Sequence, residues 1–363
     1  MQKALRWAVP LLAGTLLFTG CELFEKGTVK PSAAKDEPEK TLQESMTRAE
    51  EIKSSTTTIK LDVDAEMEGQ EVSAELNMTA KTDSSDEENM LAEMSITGNV
   101  DAGAQGSITL KEILMKVVDN KMYMNIGGLE IGGIEGGDEM IAMFEDYFNK
   151  WYVIDPESDA FKEMVETTGV VNTEESELTP EQTAQVLEIV KSSDVFANVK
   201  YEGEETVDGV KCVKFSFSGL DANKVIEMIN KIGAIVAPDE YEGPDEDEAA
   251  EFKEGLDMLN TTGAIWVGQD DGYVHKVQVG MDVDQDGQKA TIGVEMTVSD
   301  INKDVKVEAP DDATDFMETV QELMMLFMGG TDYTDYSDYG YDDYSGYTDE
   351  ELEEYMNMLE TMQ

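Results

Sequence analysis

Residues 56–80, TTTIKLDVDAEMEGQEVSAELNMTA, decide the fold of this chain. From Ile59 to Met67 every second residue is apolar, and the residues between them are charged. The same alternation of apolar and polar residues runs from Val72 to Ala80, after a turn at 68–70. A period of two places successive side chains on opposite faces of a β-strand. The stretch therefore predicts a β-hairpin with one apolar face and one polar face.

Other segments with this alternation extend the hairpin into antiparallel meanders. They lie at 90–96, 107–118, 121–126, 199–217 and 262–307. Turn residues rich in Asp and Gly interrupt the last two, at 207–209, 269–272 and 284–287. Two similar halves are one interpretation, although the sequence shows no clean repeat. The simpler interpretation, which we adopt, is a single large curved sheet.

Helical periodicity appears between and beside the predicted strands. The predicted helices lie at 41–53, 138–150, 160–165, 180–192, 221–232, around 252–259 and at 315–328. Thr179, Pro180 and Gln182 form a capping box at the start of the fourth of these helices. The glycine-rich stretch 127–137 is expected to be a mobile loop. We therefore predict an α+β fold, a half-barrel of antiparallel strands with helices packed in or across its concave face.

The first 21 residues, MQKALRWAVPLLAGTLLFTGC, have the layout of a secretory signal peptide. Lys3 and Arg6 precede an apolar run at 8–18, and Thr19-Gly20 stand directly before Cys21. This ending resembles a bacterial lipobox, and the resemblance implies that Cys21 is acylated and becomes the N-terminus. The alternatives are an uncleaved anchor, for which the run is short of the required length of about 20 residues, or a signal peptide that happens to contain a cysteine.

Four regions follow from these patterns. Residues 1–20 are the signal peptide, and 21–40 are a lipidated N-terminus and flexible tether. Residues 41–330 form the α+β domain, and 331–363 form an acidic tail rich in Tyr and Asp with a terminal helix. We expect the domain on the outer face of the bacterial cytoplasmic membrane, held there by lipid on Cys21.

The charge of the chain restricts its partners. Its 80 acidic and 26 basic residues give a formal net charge of −54. Such a chain repels nucleic-acid phosphates, so nucleic-acid binding is excluded. Anionic lipid headgroups would also repel the body of the domain.

The residues that usually carry catalysis are scarce. His275 is the one histidine, expected at the rim of the sheet, and with one further cysteine, Cys212, it supplies neither a catalytic triad nor a zinc site. The Asp-rich stretch 282–287 imitates a calcium loop, but Gly293 stands where that loop requires Glu. We therefore expect no enzyme activity, no metal and no cofactor.

The apolar faces of the predicted strands are rich in methionine, which suits an adaptable cavity. A filled core that uses methionine as packing material is the alternative. The residues predicted to line a ligand cavity are Ile59, Leu61, Val63, Leu76, Met78, Met94, Ile96, Val213, Phe215, Phe217, Val277, Val279, Val294 and Met296.

Several motifs occur in an order that resembles one family of envelope lipoproteins. After the lipobox come the segment WYVIDP at 151–156, the hairpin VDGV at 207–210 and a strand run from Trp266 through 270–272 to Ala309-Pro310. This order resembles the LolA-like lipoproteins of the LppX/LprAFG kind over residues 41–312. The resemblance implies a half-open sheet wrapped around helices, an apolar cavity that accepts lipid, and no catalytic residues.

The function expected from the sequence is a non-catalytic, membrane-anchored lipoprotein that binds a lipid or other amphiphile in an apolar cavity under the sheet. The first alternative is an envelope interaction or structural lipoprotein. It would have a filled core and bind a protein or cell-wall partner through its loops and acidic tail. An envelope hydrolase is the third hypothesis, and the missing nucleophile and base oppose it.

Overall fold

The structure is a computed structural model that describes residues 28–67, 69–86, 89–158, 161–162, 178–238, 241, 243–285 and 288–320. The predicted signal peptide, Cys21, the tail at 331–363 and most of the helix predicted at 160–165 lie outside the described residues. The chain divides after Asp315 into two units. The strands of the described residues all lie in the first unit, and residues 316–320 of the second are helical.

Twelve strands form one curved, open sheet, which confirms the predicted α+β class. The strands are β1 Ser54–Met67, β2 Gln70–Asp83, β3 Leu91–Asp101, β4 Ser107–Val118, β5 Lys121–Gly132, β6 Trp151–Ile154, β7 Lys200–Val207, β8 Val210–Ser218, β9 Asn260–Gly268, β10 Val274–Gln285, β11 Gln288–Ser299 and β12 Ala313–Asp315. Their order is β12-β6-β5-β4-β3-β2-β1-β11-β10-β9-β8-β7. Neighbouring strands are antiparallel except β6 and β12, which are parallel.

The pairing of β1 with β11 joins the two predicted meanders. Ile59 in β1 lies opposite Met78 of β2 on one side and Met296 of β11 on the other. The two meanders are therefore halves of a single sheet, as the simpler interpretation predicts.

Two hairpins have turn residues with the left-handed backbone that tight connections require. Asp119 and Asn120 have φ angles of 52° and 60°, and they join β4 to β5. Asp208 and Gly209, with φ angles of 46° and 85°, join β7 to β8. Asp, Asn and Gly adopt this conformation at the lowest steric cost, and its twist matches that of paired strands. The local sequence thus fixes the register of both hairpins.

Six α-helices accompany the sheet among the described residues. They are α1 Pro31–Asp36, α2 Pro38–Met46, α3 Gly137–Ala142, α4 Pro180–Ser192, α5 Ala222–Val236 and α6 Glu246–Met258. Short 3₁₀ helices span Thr47–Glu51, Gly103–Gln105 and Glu145–Tyr147. The capping box of α4 is formed as predicted: the Thr179 hydroxyl accepts from the Gln182 amide, and the Gln182 side chain accepts from the Thr179 amide.

The N-terminal segment corrects one prediction. Residues 31–40 were assigned to a flexible tether, but they are helical and belong to the folded body. Pro31 and Pro38 occupy the first turns of α1 and α2. Proline is tolerated there because a backbone N–H in the first turn has no acceptor within the helix. Ala34 is fully buried, and the Val29 amide donates to the Gln269 carbonyl at 2.9 Å. Tertiary contacts therefore order a segment that has no helical periodicity of its own.

The glycine-rich stretch and two helices also differ from expectation. The first half of the expected loop, residues 127–132, continues β5 and pairs with β4 across a β-bulge. The helix predicted over 138–150 is limited to α3 and a 3₁₀ turn, and the helix predicted around 252–259 begins earlier, as α6 at Glu246. Only the second half of the loop expected at 127–137 therefore lies outside the sheet.

Candidate functional site

One face of the sheet carries rows of apolar side chains that cross many strands. In an antiparallel sheet, residues directly opposite each other point to the same face. The central row of such partners is Tyr201, Phe215, Ile265, Val277, Met296, Ile59, Met78, Ile96, Ile113 and Ile126. We call the surface formed by this row and its neighbours the apolar face.

Two further rows lie beside the central row, toward the β1–β2 turn. The second row contains Phe217, Gly263, Val279, Val294, Leu61, Leu76, Gly98, Leu110 and Leu129. The third contains Met281, Ile292, Val63, Ala74, Val100, Ile108 and Ile131. Each row crosses both of the meanders predicted from the sequence, so the apolar face is continuous across the pairing of β1 with β11.

The part of the apolar face on β8 and β9 is filled. Ala34 of α1 and Leu42 of α2 belong to the same buried cluster as Val213, Phe215 and Ile265. Phe196 packs against Phe217 with ring centroids 4.5 Å apart. Val277 and Val279 of β10 border this cluster and are only partly buried. This half of the face is a hydrophobic core and offers no space for a ligand.

The part of the apolar face on β1–β5 and on the adjoining Val294 of β11 is different, because its side chains keep contact with solvent. Leu76, Val100 and Ile108 are 39%, 43% and 43% exposed. Ile59, Leu61, Val63, Met78, Met94, Ile96 and Val294 are half-buried. Exposed apolar area arranged in adjacent rows is typical of binding surfaces. We call this part the open half of the apolar face.

The fourteen residues predicted to line a cavity therefore divide into two groups. Val213, Phe215 and Phe217 are at most 3% exposed in the filled core, which corrects the expectation that they line open space. Val277 and Val279 lie at its border, and Met296 is buried at the middle of the sheet. The remaining eight lie on the open half: Ile59, Leu61, Val63, Leu76, Met78, Met94, Ile96 and Val294.

Several residues of the open half were not predicted. Val100, Ile108, Leu110, Leu129 and Ile131 continue the second and third rows across β3–β5. The alternation within 107–118 could have identified Ile108 and Leu110, but a β-bulge beyond Leu110 shifts the register of that strand. Leu129 and Ile131 lie in the glycine-rich stretch 127–137, for which the sequence predicts a loop.

The opposite face of the sheet carries charged side chains. Lys81 and Lys116 lie 2.7 and 3.6 Å from the Glu93 carboxylate. The hydrogen bond from Lys81 is the main cause that lowers the pKa of Glu93. Lys116 also lies over the Trp151 ring, 5.3 Å from its centroid. Charged pairs of this kind keep the face hydrated and direct the apolar residues to the other side.

The residues with the most reactive chemistry are buried and hydrogen-bonded. His275, the second residue of β10, lies at the rim of the sheet but is only 5% exposed, and its ring nitrogens lie 3.0 Å from Asp271 Oδ2 and 3.2 Å from the Val298 carbonyl oxygen. Burial is the main cause that raises the pKa of Cys212 to about 11, so its thiol is protonated at neutral pH. Within the described ranges, no group of three or more His, Cys, Asp or Glu residues could hold a metal ion.

No helix among the described residues has both the length and the apolar character needed to cross a membrane.

Comparison with known proteins identifies similar folds only. No family model and no curated protein matches the sequence. Among solved structures, LprF from Mycobacterium bovis is 15% identical, and the match covers 79% of this chain and 100% of LprF with a TM-score of 0.32. The Mycobacterium tuberculosis lipoprotein LppX is 11% identical, with 75% of this chain and 100% of LppX covered and a TM-score of 0.28.

A third similar structure is a LolA superfamily protein from Nitrosomonas europaea. It is 7% identical, the match covers 72% of this chain and 94% of that protein, and the TM-score is 0.15. The fold assignment itself rests on the strand order and register described above. Among solved structures, the chain is thus similar to LprF, LppX and a LolA superfamily protein at identities of 15% or less.

Proposed function

We propose that this protein is a non-catalytic lipoprotein of the bacterial envelope that binds the hydrocarbon part of a lipid or other amphiphile on the open half of its apolar face. The observation that carries the proposal is the exposure of apolar side chains in adjacent rows on adjacent strands, with Leu76 in the second row and the paired Val100 and Ile108 in the third. Fully burying an exposed apolar side chain contributes about 1.5–3 kcal/mol, and covering the exposed two-fifths of each of these side chains contributes the corresponding part. An acyl chain laid along these rows would supply that burial.

The position of the N-terminus is compatible with a lipid anchor. The Val29 amide is hydrogen-bonded to the Gln269 carbonyl in the β9–β10 turn. Val29 lies eight positions after Cys21, so the connection spans at most roughly 28 Å. A lipid on Cys21 would therefore hold the β9–β10 end of the sheet close to the outer face of the cytoplasmic membrane. The exposed row lies toward the other end of the strands, near the β1–β2 turn.

A binding experiment on two exposed residues tests the proposal. We expect Leu76→Asn and Ile108→Asn to weaken binding of a fluorescent fatty acid by tenfold or more, because each change removes apolar contact area. Both side chains are already about two-fifths exposed, so the fold should tolerate the changes. Binding is measured by fluorescence titration, and lipid extracted from the purified protein is identified by mass spectrometry.

The matched control is Glu75→Gln, which changes the neighbouring exposed residue on the polar face. It should leave fatty-acid affinity within twofold of the unaltered protein. Two results would contradict the proposal: no extractable lipid together with no fatty-acid uptake, or equal losses of affinity in the Glu75 and Leu76 variants.

The filled core under β8 and β9 favours a second candidate function. Because α1 and α2 occupy that half of the sheet, the protein also fits an envelope interaction lipoprotein with a filled core. Such a protein would bind a protein or cell-wall partner through its loops and the acidic tail at 331–363. Deleting 331–363 would then abolish partner binding but leave fatty-acid binding and the folded state unchanged.

A further inference from the structure

We propose that the polar face of the sheet carries a second binding site, for a neutral saccharide. A cavity of about 430 Å³ opens on this face where β1, β7, β9, β10 and β11 come together. Its volume lies within the range of small-molecule sites. Because its walls point away from the apolar face, the site is independent of the lipid-binding function proposed above.

Trp266, Lys276, Thr297 and Thr58 of the lining belong to one cross-strand row, which Lys214 continues beyond the cavity. Lys214 and Lys276 lie directly opposite Trp266 on its two neighbouring strands. Thr297 follows opposite Lys276, and Thr58 opposite Thr297. All five side chains therefore point to the same face of the sheet.

Polar contacts hold the Trp266 indole in a fixed position. Its Nε1–H donates to Glu205 Oε2 at 2.7 Å. The ammonium groups of Lys214 and Lys276 lie 4.8 and 5.4 Å from the ring centroid, which is the range of cation–π contacts. Trp266 is only 4% exposed. The ring thus forms a rigid part of the cavity wall, and little ordering remains to be done when a ligand binds.

The charges around the cavity compensate each other. Lys214 pairs with Glu205 at 2.9 Å, and Lys276 pairs with Glu295 at 2.8 Å. Lys60 and Asp208 add one charge of each sign to the lining. An anion would meet three carboxylates of the lining in a chain of net charge −54, and a cation would meet the ammonium groups of Lys60 and Lys276. A neutral ligand avoids both repulsions, whereas an apolar ligand would desolvate the ion pairs without replacing their water.

Two groups in the lining have hydrogen-bonding capacity to spare. The hydroxyl of Thr297 and the ammonium of Lys60 make no hydrogen bond and no ion pair within 4 Å in the described part of the chain, although Lys60 acts on the Glu295 carboxylate through space. A hydroxyl both donates and accepts, and an ammonium only donates. Neutral ligands that present several hydroxyls match this set, and the volume of the cavity suits one or two sugar rings.

A titration of the full chain with neutral disaccharides tests the site. The probes are maltose, cellobiose and N,N′-diacetylchitobiose, with glucose 6-phosphate and glucosamine as charged counterparts. We expect at least one neutral probe to bind, detected by saturation-transfer NMR and calorimetry, and the charged sugars to bind at least fivefold more weakly.

A variant of the lining provides the second measurement. Thr297→Val keeps the size of the side chain and removes one hydroxyl, so it should weaken the binding about fivefold. Thr97→Val, on the polar face of β3 outside the cavity, is the matched control and should change affinity less than twofold. The proposal is overturned if no neutral sugar binds, if a charged sugar binds more tightly, or if the two valine variants behave alike.

Discussion

At the scale of single residues, one glycine allows the covered half of the sheet to pack closely. The Phe217 ring lies directly over Gly263 in β9, and a Cβ atom at Gly263 would overlap both the ring and the Gln278 carbonyl. Phe217 is 3% exposed as a result of this close approach. The alternation within 262–307 predicts the strand that contains Gly263. It does not indicate that the residue opposite on β8 needs the space of a missing side chain.

The Asp271 carboxyl links stability to acidity. Burial by itself would raise the pKa of Asp271, but hydrogen bonds from the His275 ring and the Tyr273 amide outweigh it and lower that pKa. A carboxyl with a lowered pKa stabilises the folded state above its unfolded pKa, near 3.9, and this contribution disappears as pH falls through the folded value. We expect Asp271→Asn to flatten the fall of the thermal midpoint between about pH 5 and pH 2.

Circular dichroism over that pH range gives the measurement. Asp270→Asn, at the exposed neighbouring position of the same turn, is the control and should reproduce the pH dependence of the unaltered protein. If the thermal midpoint of the Asp271 variant falls with decreasing pH as steeply as that of the unaltered protein, the contact with His275 does not stabilise the fold.

At the scale of elements, the N-terminal helices decide which half of the apolar face is covered. Ala34 is fully buried against the β8–β9 cluster, whereas its neighbour Ala33 is exposed. We expect Ala34→Glu to detach α1, because an unpaired carboxylate in an apolar contact is strongly unfavourable. The backbone amides of β7 and β8 should then exchange with solvent at least tenfold faster.

Hydrogen exchange followed by mass spectrometry measures this effect. Ala33→Glu introduces the same residue one position earlier on the exposed side of α1, and its exchange rates should match those of the unaltered protein. Equal protection of β8 in both variants would mean that α1 does not cover the sheet.

The sequence predicts elements well where a local signal exists. Alternation from Ile59 to Met67 and the Thr179–Gln182 capping box lead to β1 and α4 with nearly correct bounds. The predictions for residues 31–40 and 127–132 are wrong because these stretches carry no local signal. Their helices and strand depend on partners distant in the sequence, the β8–β9 cluster for Ala34 and β4 for the glycines. No local pattern reports such contacts.

At the scale of the whole molecule, the sequence predicts that two apolar meanders share one sheet but not which of their strands meet. It therefore could not separate the filled half of the face from the open half, and it assigned Phe215 and Leu76 to the same cavity. The difference depends on where α1 and α2 pack, which the alternation within strands does not encode.

The lipid anchor that we propose depends on a single residue, Cys21. We expect Cys21→Ser to abolish incorporation of a labelled fatty acid and to move the protein from the membrane fraction to the soluble fraction, since the anchor would be lost. Cell fractionation with metabolic labelling measures both changes.

Cys212→Ser is the matched control for this experiment. Cys212 is fully buried with a raised pKa, so the change should leave labelling and fractionation as they are. Membrane association that persists in the Cys21 variant would contradict the lipid anchor.

The pairing of β1 with β11 has a consequence for biogenesis. These strands lie more than 200 positions apart, so the middle of the sheet cannot form until β11 has been delivered. If the chain crosses the membrane from its N-terminus, β1–β5 emerge first, with the hydrogen-bonding groups along one side of β1 still unpaired. Such an edge recruits other strands, and distant pairings form slowly. The half-exported chain is therefore the stage at which a holding chaperone would be of most use.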